Sequence, residues 1–113
     1  MSLTIEHRAT GPDSAAITLS GRLLLGPGCE RLEQLLAQEM ARGVRHFTFN
    51  LAAVSQVDST GMGRFIDAYS KLLPLSGTVR IEGARGPVRE MFRVTKLDTF
   101  LIFDDPGRPG QGG

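Results

Sequence analysis

A single cysteine, Cys29, stands in a chain of 113 residues, so no internal disulfide can staple the fold and its core must hold by packing alone. Charge is equally sparing of bias. The 13 Lys and Arg against 12 Asp and Glu leave no strong field to draw in nucleic acid or an anionic membrane surface. No stretch approaches the roughly 20 apolar residues of a membrane-spanning helix, which argues against direct insertion. The opening Met1-Ser2-Leu3-Thr4-Ile5-Glu6 lacks the basic start and apolar run of a secretory signal, so the cytoplasm is the expected compartment. Internal repeats and heptad runs are missing too.

Catalytic signatures are just as scarce. A nucleophile elbow needs glycine two places before its serine, but Val57 precedes Ser59 at that distance, and no histidine follows as a base. After Gly61 and Gly63 a dinucleotide fingerprint would need a third glycine where Ile66 stands, and no Gly-Lys-Ser or Gly-Lys-Thr phosphate loop occurs. His7 and His46 lie far apart without a Cys, Asp or Glu at ligand spacing, so neither a metal nor another cofactor is expected. Cys29 reads as a small apolar residue at a helix start. Arg85, Arg89 and Arg93 recur at helical spacing, but Glu82 and Glu90 among them point to a solvated face. The chain is read as a non-enzyme.

What the sequence does hold is the patterning of one globular domain, with 41% hydrophobic and 22% charged residues. Leu3 and Ile5 open a short first strand. Ile17, Leu19, Gly21 and Leu23 continue the same period in a second, across the turn formers Thr10 to Ser14. Gly26-Pro27-Gly28 breaks the extended run and starts a helix on Leu32, Leu35, Leu36 and Met40 that stops at Gly43. Val44 to Leu51 alternates as a third strand with Phe47, Phe49 and Leu51 inward. A second helix carries Met62, Phe65, Ile66, Tyr69, Leu72 and Leu73 at intervals of three or four, and Pro74 and Ser76-Gly77 end it. Thr78 to Glu82 makes a fourth strand, Gly86-Pro87 opens a third helix, and the unbroken apolar run Phe100 to Phe103 reads as a strand covered on both faces. This order predicts an α/β domain over residues 1–104, a mixed, mostly parallel sheet of about five strands with right-handed helical crossovers. Residues 105–113, without a large apolar side chain, are expected to be a disordered tail.

The third strand passes into the second helix through Val57-Asp58-Ser59-Thr60-Gly61-Met62-Gly63. Loops at the carboxyl ends of strands are where α/β domains place function. Asp58, Ser59 or Thr60 suits a helix cap; the Ser59 hydroxyl equally suits a solvent-facing modification site. Gly61 and Gly63 keep the first turn slim for an approaching backbone, and Met62, if it faces outward, offers an adaptable apolar contact.

In this run, in Asn50-Leu51 and in Thr18-Leu19-Ser20-Gly21-Arg22-Leu23, the chain resembles the STAS family, shared by anti-sigma factor antagonists and sulfate transporters. The likeness covers residues 3–103, and its specific part is the Asp-Ser-Thr-Gly loop. It implies a cytoplasmic phosphoswitch without catalysis of its own. Ser59 would be phosphorylated by an anti-sigma factor with serine kinase activity and dephosphorylated by a protein phosphatase, and the unphosphorylated form would sequester the anti-sigma factor. Asp58, Thr60, Gly61, Met62 and Gly63 would meet that partner, and a monomer or weak dimer is expected. The chain departs from the family where Gly21-Arg22-Leu23-Leu24 replaces the common Gly-Glu-Leu-Asp, and where Pro106 and Pro109 disfavour a further helix after the last strand. Leu24 keeps a second expectation open, a stand-alone STAS subunit docked on the ATPase of a membrane lipid transporter. A third, a scaffold subunit of a large stress-signalling assembly, predicts very large particles.

Overall fold

The computed structural model describes residues 3–104. The expectations of a disordered tail and of no further helix therefore lie outside the described residues. Strands β1 (Thr4–Gly11) and β2 (Ser14–Leu23) form the expected hairpin. Helix α1 (Pro27–Ala41), strand β3 (His46–Val57), helix α2 (Ser59–Leu72), strand β4 (Thr78–Glu82), helix α3 (Gly86–Val94) and strand β5 (Ile102–Asp104) follow. The 5-stranded sheet runs β1-β2-β3-β4-β5, antiparallel between β1 and β2 and parallel thereafter.

Strand alternation sends Ile17, Leu19, Phe47, Phe49, Val79 and Ile81 to one face, all buried. The helices cover that face with Leu32 and Leu36 from α1, Phe65, Ala68 and Leu72 from α2, and Val88 and Phe92 from α3. A chain of ring contacts ties the layers together. Phe49 meets Phe65 edge-on at 5.1 Å between centroids, Phe65 lies 5.4 Å from Phe92, and Phe92 meets Phe103 at 5.0 Å. The opposite face carries Ala16, Thr18, Thr48, Asn50, Arg80 and Glu82, none of them buried.

Three expectations need correction. β3 does not end near Leu51 but continues to Val57, and its pairing with β2 shifts register between Thr18 and Ser20 and again between Gly21 and Arg22. Each shift inserts a residue into β3, which spaces the inward Leu51, Val54 and Val57 three apart and erases the two-residue period. The run Phe100 to Phe103 is not a doubly covered strand. β5 is short and lies at the sheet edge, and Phe100 is 58% exposed beside Tyr69. On α2 the core stripe runs through Met62, Phe65, Ala68 and Leu72, which leaves Ile66 and Leu73 exposed.

Candidate functional site

The end of β2 lies against the end of β3, with Leu23 paired to Val57, so the loops leaving both strands share one edge of the molecule. Asp58 binds them together. Its backbone N–H donates to the Leu23 carbonyl at 3.3 Å. One carboxylate oxygen, Oδ1, accepts from the Gly61 N–H at 2.8 Å, and the other, Oδ2, accepts from the Leu25 N–H at 2.9 Å. The first contact caps α2 by satisfying a donor that the helix leaves unpaired. The second fixes the β2–α1 loop to that same cap.

Burial pushes the Asp58 carboxyl towards its neutral form, but the N–H groups of Leu25, Gly61, Thr60 and Asp58 itself outweigh it and hold the pKa below its ordinary value. Asp58 is thus an anion with both oxygens engaged. The helix needs no second cap, and Ser59, at the first helical position, is exposed and makes no side-chain hydrogen bond among the described residues. Of the cap candidates Asp58, Ser59 and Thr60, the geometry selects the first and leaves the Ser59 hydroxyl spare.

Other members of the motif face inward. Met62 is 1% exposed in the core, so the outward contact expected of it is corrected: helical spacing places it on the stripe of Phe65 and Leu72. Gly61 is buried as well. A Cβ there would stand within 2.4 Å of the Leu23 carbonyl oxygen and 2.8 Å of a Val57 methyl. The backbone that comes close to Gly61 is the chain's own β2, not a visitor's. Gly63 has open space around its missing Cβ, and with Thr60 and Ser59 it keeps the solvent side of the first turn low. Leu25, which no periodicity singled out, is 76% exposed next to the clamp; its only sequence signal is an apolar residue past the end of a strand. Beneath the site the Arg64 guanidinium bonds Glu33 at 2.9 Å and ties α2 to α1.

The cysteine, the two histidines and the α3 arginines have other roles. Cys29 is buried in the first turn of α1, where burial raises its thiol pKa against the pull of Arg64. His7 lies in β1, and His46 shares a hydrogen bond of 2.9 Å with Thr78. Arg89 pairs with Asp98 at 3.3 Å and Arg93 with Glu90, so these arginines do not act as one basic face. No helix among the described residues is long and apolar enough to cross a membrane.

Comparison with known proteins agrees with this architecture. The STAS domain family matches residues 10–107. The phosphorylated form of the Bacillus cell fate determinant SpoIIAA superposes with a TM-score of 0.74 at 16% identity, covering 92% of this chain and 94% of that one. An anti-sigma factor antagonist from Mycobacterium paratuberculosis gives 0.74 at 24% identity, over 90% and 85% of the two chains. A sulfate transporter family protein from Wolinella succinogenes gives 0.67 at 14% identity, over 88% and 84%. At these identities the likeness establishes the fold. No curated relative matches the sequence.

Proposed function

Because the chain belongs to the STAS family, we propose that it is an anti-sigma factor antagonist, a cytoplasmic binding module switched by phosphorylation of Ser59. The observation that supports this reading is the division of labour at the loop, where Asp58 caps α2 and leaves the Ser59 hydroxyl exposed. A phosphoryl group there adds about −1.5 to −2 charge at a helix N-terminus, where the dipole favours it. The fold tolerates the modification; a docking protein does not. The partner is an anti-sigma factor with serine kinase activity, and it would meet an anion next to the Asp58 carboxylate, with repulsion and desolvation both acting against the complex. A protein phosphatase restores binding. The contact surface is formed by Ser59, Thr60 and Gly63, with Asp58 as its support and Gly61 and Met62 holding the turn from beneath.

Incubation with the cognate kinase and ATP, followed by mapping of the phosphate, tests the proposal. Phosphate at Ser59 supports it, and a chain that binds its anti-sigma partner yet is never modified there overturns it. One observation favours a second reading, a stand-alone STAS subunit on a lipid transporter's ATPase. Leu24 and the exposed Leu25 offer apolar surface where the family commonly carries a carboxylate. Recovery of a transporter ATPase, and no sigma-pathway protein, in a pull-down would select it.

A further inference from the structure

The helices leave one face of the sheet uncovered, and its side chains fall into two rows of opposite charge. Register places Arg8, Ala16, Thr48 and Arg80 side by side across β1 to β4, and Glu6, Thr18, Asn50 and Glu82 in the next row on that face. The strand repeat separates the rows by about 7 Å. Arg8 and Arg80 thus stand on either side of the short residues in one row and Glu6 and Glu82 in the other, and the edge strand β5 continues the two rows with Ile102 and Asp104. Neither these arginines nor these glutamates form a hydrogen bond or ion pair among the described residues. Between them Ala16, Thr18, Thr48 and Asn50 are short and uncharged, so the middle of the face is low.

We infer that this open face is the contact surface of a homodimer. A two-fold axis lying across the strands, midway between the rows, turns one face onto another and exchanges the rows. Arg8 of each copy then lies over Glu6 of the other, and Arg80 over Glu82, while Thr48 meets Asn50 and Ala16 meets Thr18. Such an isologous contact requires a surface complementary to itself, and this charge order has that property. Sheets stack face to face at about 10 Å, which the short central side chains permit and which the long flanking ones can span. The offset of about 30° between stacked twisted sheets lies within the reach of flexible Arg and Glu side chains. Alternating signs cancel as a field and so give a polyanion no purchase, whereas a second copy carries the same alternation at the same spacing.

Sedimentation of the full chain over a range of concentrations, at low and at high salt, tests the inference. The expected result is a reversible dimer that salt weakens. Arg80→Glu should weaken it by at least about tenfold, because like charges then face each other at both symmetry-related positions. Adding Glu82→Arg reverses the order of the rows but keeps them complementary, and should restore dimerisation to within about threefold. Arg8→Glu and Glu6→Arg provide an equivalent pair on β1, should the β4 variants not fold. A monomer at every concentration, a dimer indifferent to Arg80→Glu, or a double variant with native circular dichroism that stays monomeric would each overturn the inference. Ser59→Asp should leave the dimer unchanged, so the outcome is independent of the switch proposed for the loop.

Discussion

Helices α2 and α3 both begin at the carboxyl end of a parallel strand, yet they start in different ways. At α2 the Asp58 side chain caps the first turn and also holds the neighbouring loop through Leu25. At α3 the capping position is Arg85, with extended backbone and no side-chain hydrogen bond, and Pro87 in the first turn supplies the conformation instead. The contrast separates a helix start that is merely formed from one that is braced. Bracing by an aspartate frees the adjacent serine from structural duty, and an exposed hydroxyl on a fixed frame is what a modifying enzyme and a binding partner can both address.

The sharpest way to break this contrast is to place a permanent charge at the spare hydroxyl. Under the proposed switch, Ser59→Asp is expected to weaken binding to an anti-sigma factor by about 4 kcal/mol, roughly a thousandfold, read by calorimetry or surface plasmon resonance. The thermal midpoint should hold or rise, because a carboxylate at a helix N-terminus is favourable by about 0.3–1 kcal/mol. Partner binding equal to wild type would remove Ser59 from the mechanism. Next in size is Gly61→Ala. Its methyl has to displace the Leu23 carbonyl or the Val57 side chain, so denaturant unfolding should report a loss of about 1–3 kcal/mol. Gly63→Ala, inside α2 where nothing stands within 4 Å, should instead raise stability by about 0.5–1 kcal/mol, because a helix-interior glycine is entropically costly.

Between these lies the clamp itself. Asp58→Ala should cost about 1–2 kcal/mol for the lost cap and the unpaired Leu25 N–H. The carboxyl is held below its ordinary pKa of 3.8, so its ionised form is bound more tightly in the folded chain than in the unfolded one. Its contribution is therefore complete above that ordinary value and is lost as pH falls through the lower, folded one. The stability gap between wild type and Asp58→Asn should stay constant at neutral pH and shrink only in that acid window. A gap that closed above it would show that the carboxylate is not the clamp. The smallest expected effect is at the unbraced helix, where Arg85→Ala should stay within about 0.5 kcal/mol.

Much of the fold could be read from the chain, because β2, the first half of β3 and β4 keep a clean two-residue period and the helices keep theirs. The failures have local causes. The bulges in β3 put Leu51, Val54 and Val57 three residues apart, a spacing that mimics a helix or a loop. Phe100 and Ile102 look like core residues but lie at the sheet's edge, where exposure is set by how far the helix layer reaches. At the site, the position of Ser59 was legible and its freedom was not. Asp58, Ser59 and Thr60 are each able to cap, and the choice among them depends on the Leu25 N–H, which is distant in sequence and arrives only when β2 and β3 pair. Met62 is ambiguous for a related reason, since a flexible apolar side chain beside a loop serves the core as well as a surface, and here it serves the core.

The aspartate clamp also bears on timing. With the cap and the loop pinned by the same carboxylate, a phosphoryl group placed on Ser59, as proposed, would meet a helix start already braced rather than a free end. A device of that kind would hold no conformational memory: its state would last as long as the ester bond and no longer. The duration of the message would then be set entirely by the enzymes that write and erase it.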